Sequence, residues 1–365
     1  MMNYCNQIHY SVITVSKGTF SERIDEALAK LPKEEIPVRL VFFGSPESNE
    51  QYLIRRNLIG EKLAALFGDS LPSFSYVAQP PLDGKLVLEV HGYRKSSEDQ
   101  IIYGKLNTPY VIIENSQLRM LFCGGFQGSD LHATITQQSV QALEFLHDLL
   151  LKEHFAIFSI IRQWNYIEKI TAMEDGKQHY QSFNNARSQF YAQETWTNGY
   201  PAATGIGASF GGVLVDADAV IFRTADAFAT PIDNRLQIAA HAYSDKVLEH
   251  SGKELTTPKF ERAKSITVDH CRHIYISGTA AIRGELSLKG VGLAEQLKTT
   301  MENIAELIGK AHLTMLRIYL KHASDYPEAK CLMDRYSLHI PISFMQADVC
   351  RDELLIEIEG IASET

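Results

Sequence analysis

Glu357 stands between Ile356 and Ile358 in the stretch Glu353-Leu-Leu-Ile-Glu-Ile-Glu-Gly360. Apolar and acidic residues alternate there with the period of a half-buried strand. A carboxyl group withdrawn from water on such a strand keeps its proton to higher pH, and can then serve as a general acid near neutrality. Spacing alone also admits a second reading, in which Glu357 faces solvent or pairs with an arginine. Arginines able to grip carboxylates through two parallel hydrogen bonds recur in strand-like segments. They are Arg39 in Val38-Arg-Leu-Val-Phe-Phe43, Arg162 in Ile161-Arg-Gln-Trp-Asn-Tyr166 and Arg317 in Leu316-Arg-Ile-Tyr-Leu-Lys321. Because Arg39 recurs where no other site signal stands, a repeated structural ion pair competes with substrate binding at Arg162 and Arg317. Two further motifs are set aside. In His270-Cys271-Arg272-His273 the first two side chains would point to opposite faces of a strand, so no metal site is expected. Gly205-Ile-Gly207 lacks the full G-x-G-x-x-G pattern, the preceding strand and the following helix, so it reads as tight backbone near a pocket and no nucleotide site is expected.

The elements that would hold these residues repeat along the chain. Lys85-Leu-Val-Leu-Glu-Val-His-Gly92 and Gly212-Val-Leu-Val-Asp-Ala-Asp218 follow the rhythm of the Glu357 strand, which aligns Glu89, Asp216 and Glu357. Between each arginine strand and its acidic strand lies a helix-like segment, at about 48–67, 180–194 and 325–336. Helices at about 136–152 and 292–309 precede the second and third arginine strands. Each follows a hairpin that includes Leu118–Gly125 or Arg272–Gly278. The first copy is degenerate: it lacks a comparable hairpin pair, although residues 8–15 supply one strand. The repeating unit is β-β-α-β-α-β, an α/β (α+β) pattern with copies at 1–95, 100–222 and 265–365. One such unit is a marginal core, and packing three together would bury the remaining apolar strand faces. Residues 223–264 read as an irregular connector with a short helix near 235–250, long enough to cover a site.

Composition narrows the function class. A net charge of −9 disfavours a general nucleic-acid binder, which needs a basic face. No run approaches 18 apolar residues, and the mixed N-terminus does not resemble a signal peptide, so no membrane association is expected. Five scattered cysteines without CxxC spacing suit reduced thiols in a cytoplasmic protein.

The unit with its terminal V/I-E-I-E strand resembles the RidA (YjgF) family, whose members are homotrimers with sites at subunit clefts. Fused in one chain, the units resemble the chorismatases. The resemblance rests on Arg162-Gln-Trp-Asn-Tyr166, Tyr180-Gln-Ser-Phe-Asn184 through Arg187, Tyr200-Pro-Ala-Ala-Thr-Gly-Ile-Gly-Ala208, Ser277-Gly-Thr-Ala280 and Gln346-Ala-Asp-Val-Cys-Arg351. Gln79-Pro-Pro-Leu-Asp-Gly84 adds to it near the N-terminus. Two departures stand out. Val247 occupies the second tyrosine position of the connector's Y-S-x-x-Y-G-P run, which begins here at Tyr243-Ser244. The arginine of RidA deaminases before the V-E-I-E strand has no counterpart in Ile342-Ser-Phe-Met-Gln346, which disfavours imine deamination.

The resemblance implies a pseudo-trimer in one chain, and hence a monomer, that removes pyruvate from chorismate without metal or cofactor. It places Glu357 as the acid that protonates the enolpyruvyl group. It marks Cys350 and Gly278 as the positions linked to the subtype making 3-hydroxybenzoate. Arg162, Arg187 and Arg317 become candidate carboxylate clamps, with Tyr200 and Gln346 as further substrate contacts. The competing expectation is a RidA-like protein that binds a small carboxylate without turning it over.

Overall fold

The computed structural model describes residues 4–243 and 256–365. Ser244 and Val247, which bear on the connector motif, lie outside the described residues.

Three mixed sheets follow one another along the chain. The first is built from β1 (Ile8–Val15), α1 (Phe20–Ala29), β2 (Ile36–Gly44), α2 (Asn49–Phe67), β3 (Ser73–Val77) and β4 (Leu86–Tyr93), with strand order β1-β4-β2-β3. The second comprises β5 (Gln100–Leu106), β6 (Thr108–Glu114), β7 (Leu118–Gln127), α3 (Ile135–Lys152), β8 (Ile160–Glu168), α4 (His179–Tyr191), β9 (Ala202–Ala208) and β10 (Val213–Phe222), in the order β9-β8-β10-β7-β6-β5. The third comprises β11 (Ala227–Ile232), β12 (Ala263–Val268), β13 (Cys271–Ala280), α5 (Leu293–Ile308), β14 (His312–Leu320), α6 (Tyr326–Asp334), β15 (Ile342–Gln346) and β16 (Ile356–Glu364), in the order β11-β12-β13-β16-β14-β15. Each sheet contains one parallel pair, β2 with β3, β8 with β9 and β14 with β15, and in each a helix makes the crossover that a parallel pair requires.

The helices begin and bury as their sequences dictate. Thr134 caps α3 in a capping box with Gln137, and Ile135, Gln138, Ala142, Leu146 and Leu149 then fall on one buried face at three- and four-residue spacing. Helix pairs cover one face of each sheet, giving an apolar layer under α1 and α2, under α3 and α4, and under α5 and α6. The opposite faces meet one another. Val38 and Tyr93 from the first sheet, Phe122 and Val220 from the second, and Ile266 and Met315 from the third share one buried cluster.

The expected helices lie within a few residues of their predicted bounds. One stretch departs from the reading. Within 223–264, residues Ala227–Ile232 are an edge strand paired antiparallel to β12, because alternating apolar residues there find an open ladder. Among the described residues, the only helical turn near 235–250 is a 3₁₀ turn at Ala240–Ala242.

Strand register verifies the internal alignment. Val41 pairs with Glu89, Trp164 with Asp216 and Tyr319 with Glu357. Two residues on, Arg39 pairs with His91, Arg162 with Asp218 and Arg317 with Glu359.

Candidate active site

Alternation along β16 sends Ile356 and Ile358 under the helices of the third sheet. Glu357 and Glu359 therefore point the other way, into the junction between sheets, and are 5% and 3% exposed. The solvent-facing reading of Glu357 is thereby excluded.

The three register-equivalent carboxylates sit at three junctions and fare differently. Asp216 accepts hydrogen bonds from Ser75 Oγ at 2.6 Å and from the Gly125 amide at 2.7 Å. Glu89 accepts from Ser343 Oγ at 2.6 Å and is gripped side-on by Arg317, whose Nε donates to Oε1 at 2.9 Å and whose Nη2 donates to Oε2. Glu357 instead lines a cleft between the second and third sheets. Burial, reinforced by the negative charge of Glu359, pushes its pKa up to about 8, against the opposing pull of Arg162 and Arg262. A carboxyl so placed is protonated at neutral pH.

Space for this carboxyl comes from a β-bulge. Between Ile276 and Thr279 the pairing of β13 with β16 slips, setting Ser277 and Gly278 out of the ladder. Gly278 faces Glu357, and a Cβ there would collide with Glu357 Oε1 and lie 3.1 Å from Thr204 Cγ2. Glycine at this point is what lets the acid side chain lie over the strand.

Around Glu357 the cleft gathers residues from both sheets and the connector. Helix α4 contributes Tyr180, Gln181, Asn184 and Arg187, and β9 contributes Ala203 and Gly205. Cys350, Arg351 and Leu354 come from the loop before β16, and Tyr243, Pro258, Phe260 and Arg262 come from the connector. Three guanidinium groups therefore face one small space. Arg187 is 1% exposed, is oriented by Asn184 Oδ1 at 2.8 Å, and has an Nε without a hydrogen-bond partner among the described residues. Arg262 donates to the Ile238 carbonyl at 2.8 Å and to the Tyr243 hydroxyl. Arg351 is held by the Glu285 carbonyl at 3.0 Å and Ser287 Oγ at 2.9 Å. Burial pushes the Tyr180 hydroxyl well up, with Cys350 and Glu357 nearby adding to the shift, so it stays a neutral donor. Such a cleft presents a neutral acid and several cations, the arrangement needed to hold a compound with more than one carboxylate and deliver a proton to it.

The structure thus brings Glu357, Cys350, Arg187 and Gly278 together. It places the other four candidates elsewhere. Arg162 faces the neighbouring sheet, where its Nη2 bonds Glu359 Oε2 at 2.6 Å and Thr204 Oγ1 at 2.7 Å. Arg317 is committed to Glu89, and its Nη1 also lies 2.6 Å from Glu359. Both arginines are buried on inner strand faces, where an unpaired charge would be costly, so carboxylates of the protein take the place proposed for substrate. Tyr200 packs in an aromatic stack with Tyr191, Trp196 and His241 at centroid distances of 5.7, 5.3 and 5.6 Å. Gln346 lies in a separate cavity with Pro80, Gly207 and Lys321, its backbone N–H donating to the Pro80 carbonyl at 2.8 Å. Conversely, Tyr180, Arg262 and Arg351 line the cleft without having been singled out. Tyr180 and Arg351 stand within the motifs Tyr180-Gln-Ser-Phe-Asn184 and Gln346-Ala-Asp-Val-Cys-Arg351, and Arg262 stands in the connector.

Comparison with known proteins agrees with this architecture. A crystal structure of a chorismatase, 20% identical, superposes with a TM-score of 0.71 over 97% of this chain and 98% of its own. The fold is that of a chorismatase. The family described as Chorismatase FkbO/Hyg5-like, N-terminal, matches residues 114–217. A 3-hydroxybenzoate synthase of Streptomyces hygroscopicus is 27% identical over 232 residues, covering 58% of this chain and 65% of that protein. A chorismatase of Streptomyces rapamycinicus is 28% identical over 225 residues, covering 56% and 64%. These matches span a little under two thirds of the relatives' own lengths. The resemblance to chorismatases read from the motifs is borne out. None of the described helices is long and apolar enough to cross a membrane.

Proposed function

We propose that this chain cleaves chorismate, releasing pyruvate, with Glu357 as the acid and 3-hydroxybenzoate as the second product. The observation that carries the reading is the Glu357 carboxyl, 5% exposed in a cleft rimmed by Arg187, Arg262 and Arg351, where burial raises its pKa. Chorismate brings two carboxylates to such cations, and its enolpyruvyl ether is the group an acid attacks. Glu357 delivers its proton to the methylene carbon, and the positive charge develops at the ether carbon. The ring carbon–oxygen bond then breaks as the ether oxygen becomes the keto oxygen of pyruvate. With Cys350 beside the ring, the oxygen of the neighbouring ring hydroxyl attacks that carbon as the ether bond breaks and loses its proton, which matches the proton Glu357 supplied and closes an epoxide. The original ring bond of that oxygen then opens and the proton on the attacked carbon passes to the oxygen, so the ring becomes aromatic and no water is consumed. The names of the matched Streptomyces proteins support the same substrate and product. The three sheets already pack against one another within one chain, which supports a monomer, and the reduced cysteines fit a cytoplasmic enzyme.

The test is to incubate the purified protein with chorismate, couple pyruvate to lactate dehydrogenase and resolve the products by chromatography. Pyruvate and 3-hydroxybenzoate in equal amounts are expected. Absence of pyruvate from a folded protein that still binds chorismate would leave a carboxylate-binding protein instead. Replacing Cys350 by alanine should preserve pyruvate release while making a non-aromatic dihydroxy-cyclohexadiene acid the main product, because water then enters the space beside the ring. Unchanged 3-hydroxybenzoate in that variant would remove Cys350 from the product-determining step.

A further inference from the structure

Strands β9 and β13 belong to different sheets, and two hydroxyl groups join them beside the acid. Ser277 Oγ accepts from the Ala203 amide at 2.9 Å and donates to the Glu261 carbonyl at 2.6 Å. Thr204 Oγ1 accepts from the Gly278 amide at 3.0 Å and from Arg162 Nη2 at 2.7 Å, and donates to Glu359 Oε2. A hydroxyl has one proton and two lone pairs, and here all three are used. The Gly278 amide lies in the bulge, out of the ladder with β16, and is partly withdrawn from water, so it needs an acceptor within the protein. Thr204 supplies it. The Thr204 methyl also abuts the face of Gly278 on which Glu357 lies, since both Glu357 Oε1 and Thr204 Cγ2 bound the position a Cβ would occupy. Thr204 is 1% exposed and does not line the cleft.

We infer that Thr204 is a positioning residue for the acid, tying the bulge that makes room for Glu357 to the buried Arg162–Glu359 pair. The inference rests on the reading of Glu357 as the proton donor to chorismate. The ion pair is anchored between two sheets, so the hydroxyl transmits a fixed reference to the backbone under the reacting carboxyl. Without it the bulge is free to shift, and a displacement of about 1 Å in a catalytic group can reduce turnover by about 10²-fold.

The experiment compares parent, Thr204→Val and Thr204→Ser proteins for pyruvate release from chorismate, with thermal unfolding on the same preparations. Thr204→Val keeps the side-chain shape and removes the hydroxyl. Its kcat should fall about 10- to 100-fold while KM stays within about twofold, because the loss falls on the transition state. Thr204→Ser keeps the hydroxyl and should retain kcat within about threefold of the parent. A purely structural threonine would instead lower stability in both variants without separating kcat from KM. Parent-like kcat in Thr204→Val, a rise in KM alone, or equal impairment of the serine variant would overturn the inference. Should Thr204→Val fail to fold, Thr204→Ala is judged by the same kcat and KM criteria. If the parent itself releases no pyruvate, the reading of the site falls, and this inference with it.

Discussion

Glu357→Gln should remain folded yet release pyruvate from chorismate about 10²–10⁴-fold more slowly than the parent, the span that a positioned general acid contributes. Glutamine keeps the size and the hydrogen-bonding tip of the side chain but has no proton to transfer to carbon. The pH profile follows from the same environment. Burial and the neighbouring charge of Glu359 raise the acid to about 8, while Arg162 and Arg262 limit the rise. The active form is the protonated one, so kcat/KM of the parent should be flat below this value and fall as pH increases through it. A parent profile that falls instead on the acidic side, with its midpoint near the ordinary value of 4.5, would assign Glu357 as a base or an electrostatic partner.

The same substitution should alter stability in the opposite sense. In the unfolded chain Glu357 titrates near 4.5, and in the folded protein near 8. Below pH 4.5 both states hold the proton and the group is neutral towards folding. Between those values the unfolded chain releases a proton that the folded protein keeps. The stability associated with the carboxyl is therefore lost progressively as pH rises through that window. Glutamine does not titrate. Chemical denaturation should find Glu357→Gln more stable than the parent at pH 8, by on the order of a few kcal/mol, with the difference vanishing near pH 4. Equal stability at pH 8 would mean that the carboxyl is not held neutral by its surroundings, and the acid assignment would lose its physical basis.

The repeat was legible because strand period and helix spacing survive in each copy even where the residues diverge. Aligning Glu89, Asp216 and Glu357 from alternation alone anticipated the register in which they face Val41, Trp164 and Tyr319. What alternation along one strand does not encode is the identity of the side chains arriving from the next sheet. Arg162 and Arg317 have the right chemistry to bind a dicarboxylate, and only the packing of sheet against sheet reveals that Glu359 and Glu89 already occupy them. Arg262 and Arg351 posed the converse problem. They lie in irregular segments, where no periodicity indicates direction, and they converge on the cleft through long-range hydrogen bonds to Ile238, Tyr243, Glu285 and Ser287. Strand β11 was not legible for a related reason, since its ladder partner among the described residues lies more than thirty residues further along the chain.

The inter-sheet arginines carry the other large prediction. Arg39 forms an ion pair with Asp218 at 2.7 Å, joining the first sheet to the second, and Arg162 bonds Glu359 at 2.6 Å, joining the second to the third. The third sheet returns to the first through Arg317 and Glu89. Perfect repetition would pair Arg317 with the residue at position 91, but that residue is His91, which burial and the flanking arginines keep well below its ordinary pKa and therefore neutral. Arg317 reaches one strand step further to Glu89 and also draws on Glu359, Tyr166 and Tyr319. Removing one member of a fully buried pair strands the other charge, at a cost of about 3–5 kcal/mol. Arg317→Met should therefore lower the unfolding free energy from chemical denaturation by that amount, while the protein that remains folded keeps a parent-like KM for chorismate. Arg187→Met should do the reverse, raising KM with little change in stability, because Arg187 is turned to the cleft. Adding Glu89→Leu to Arg317→Met should recover part of the lost stability, since an apolar replacement of both partners leaves no stranded charge. A raised KM in Arg317→Met at full stability would return this arginine to the substrate, and the closed circuit of ion pairs would no longer account for how three sheets are held in one chain.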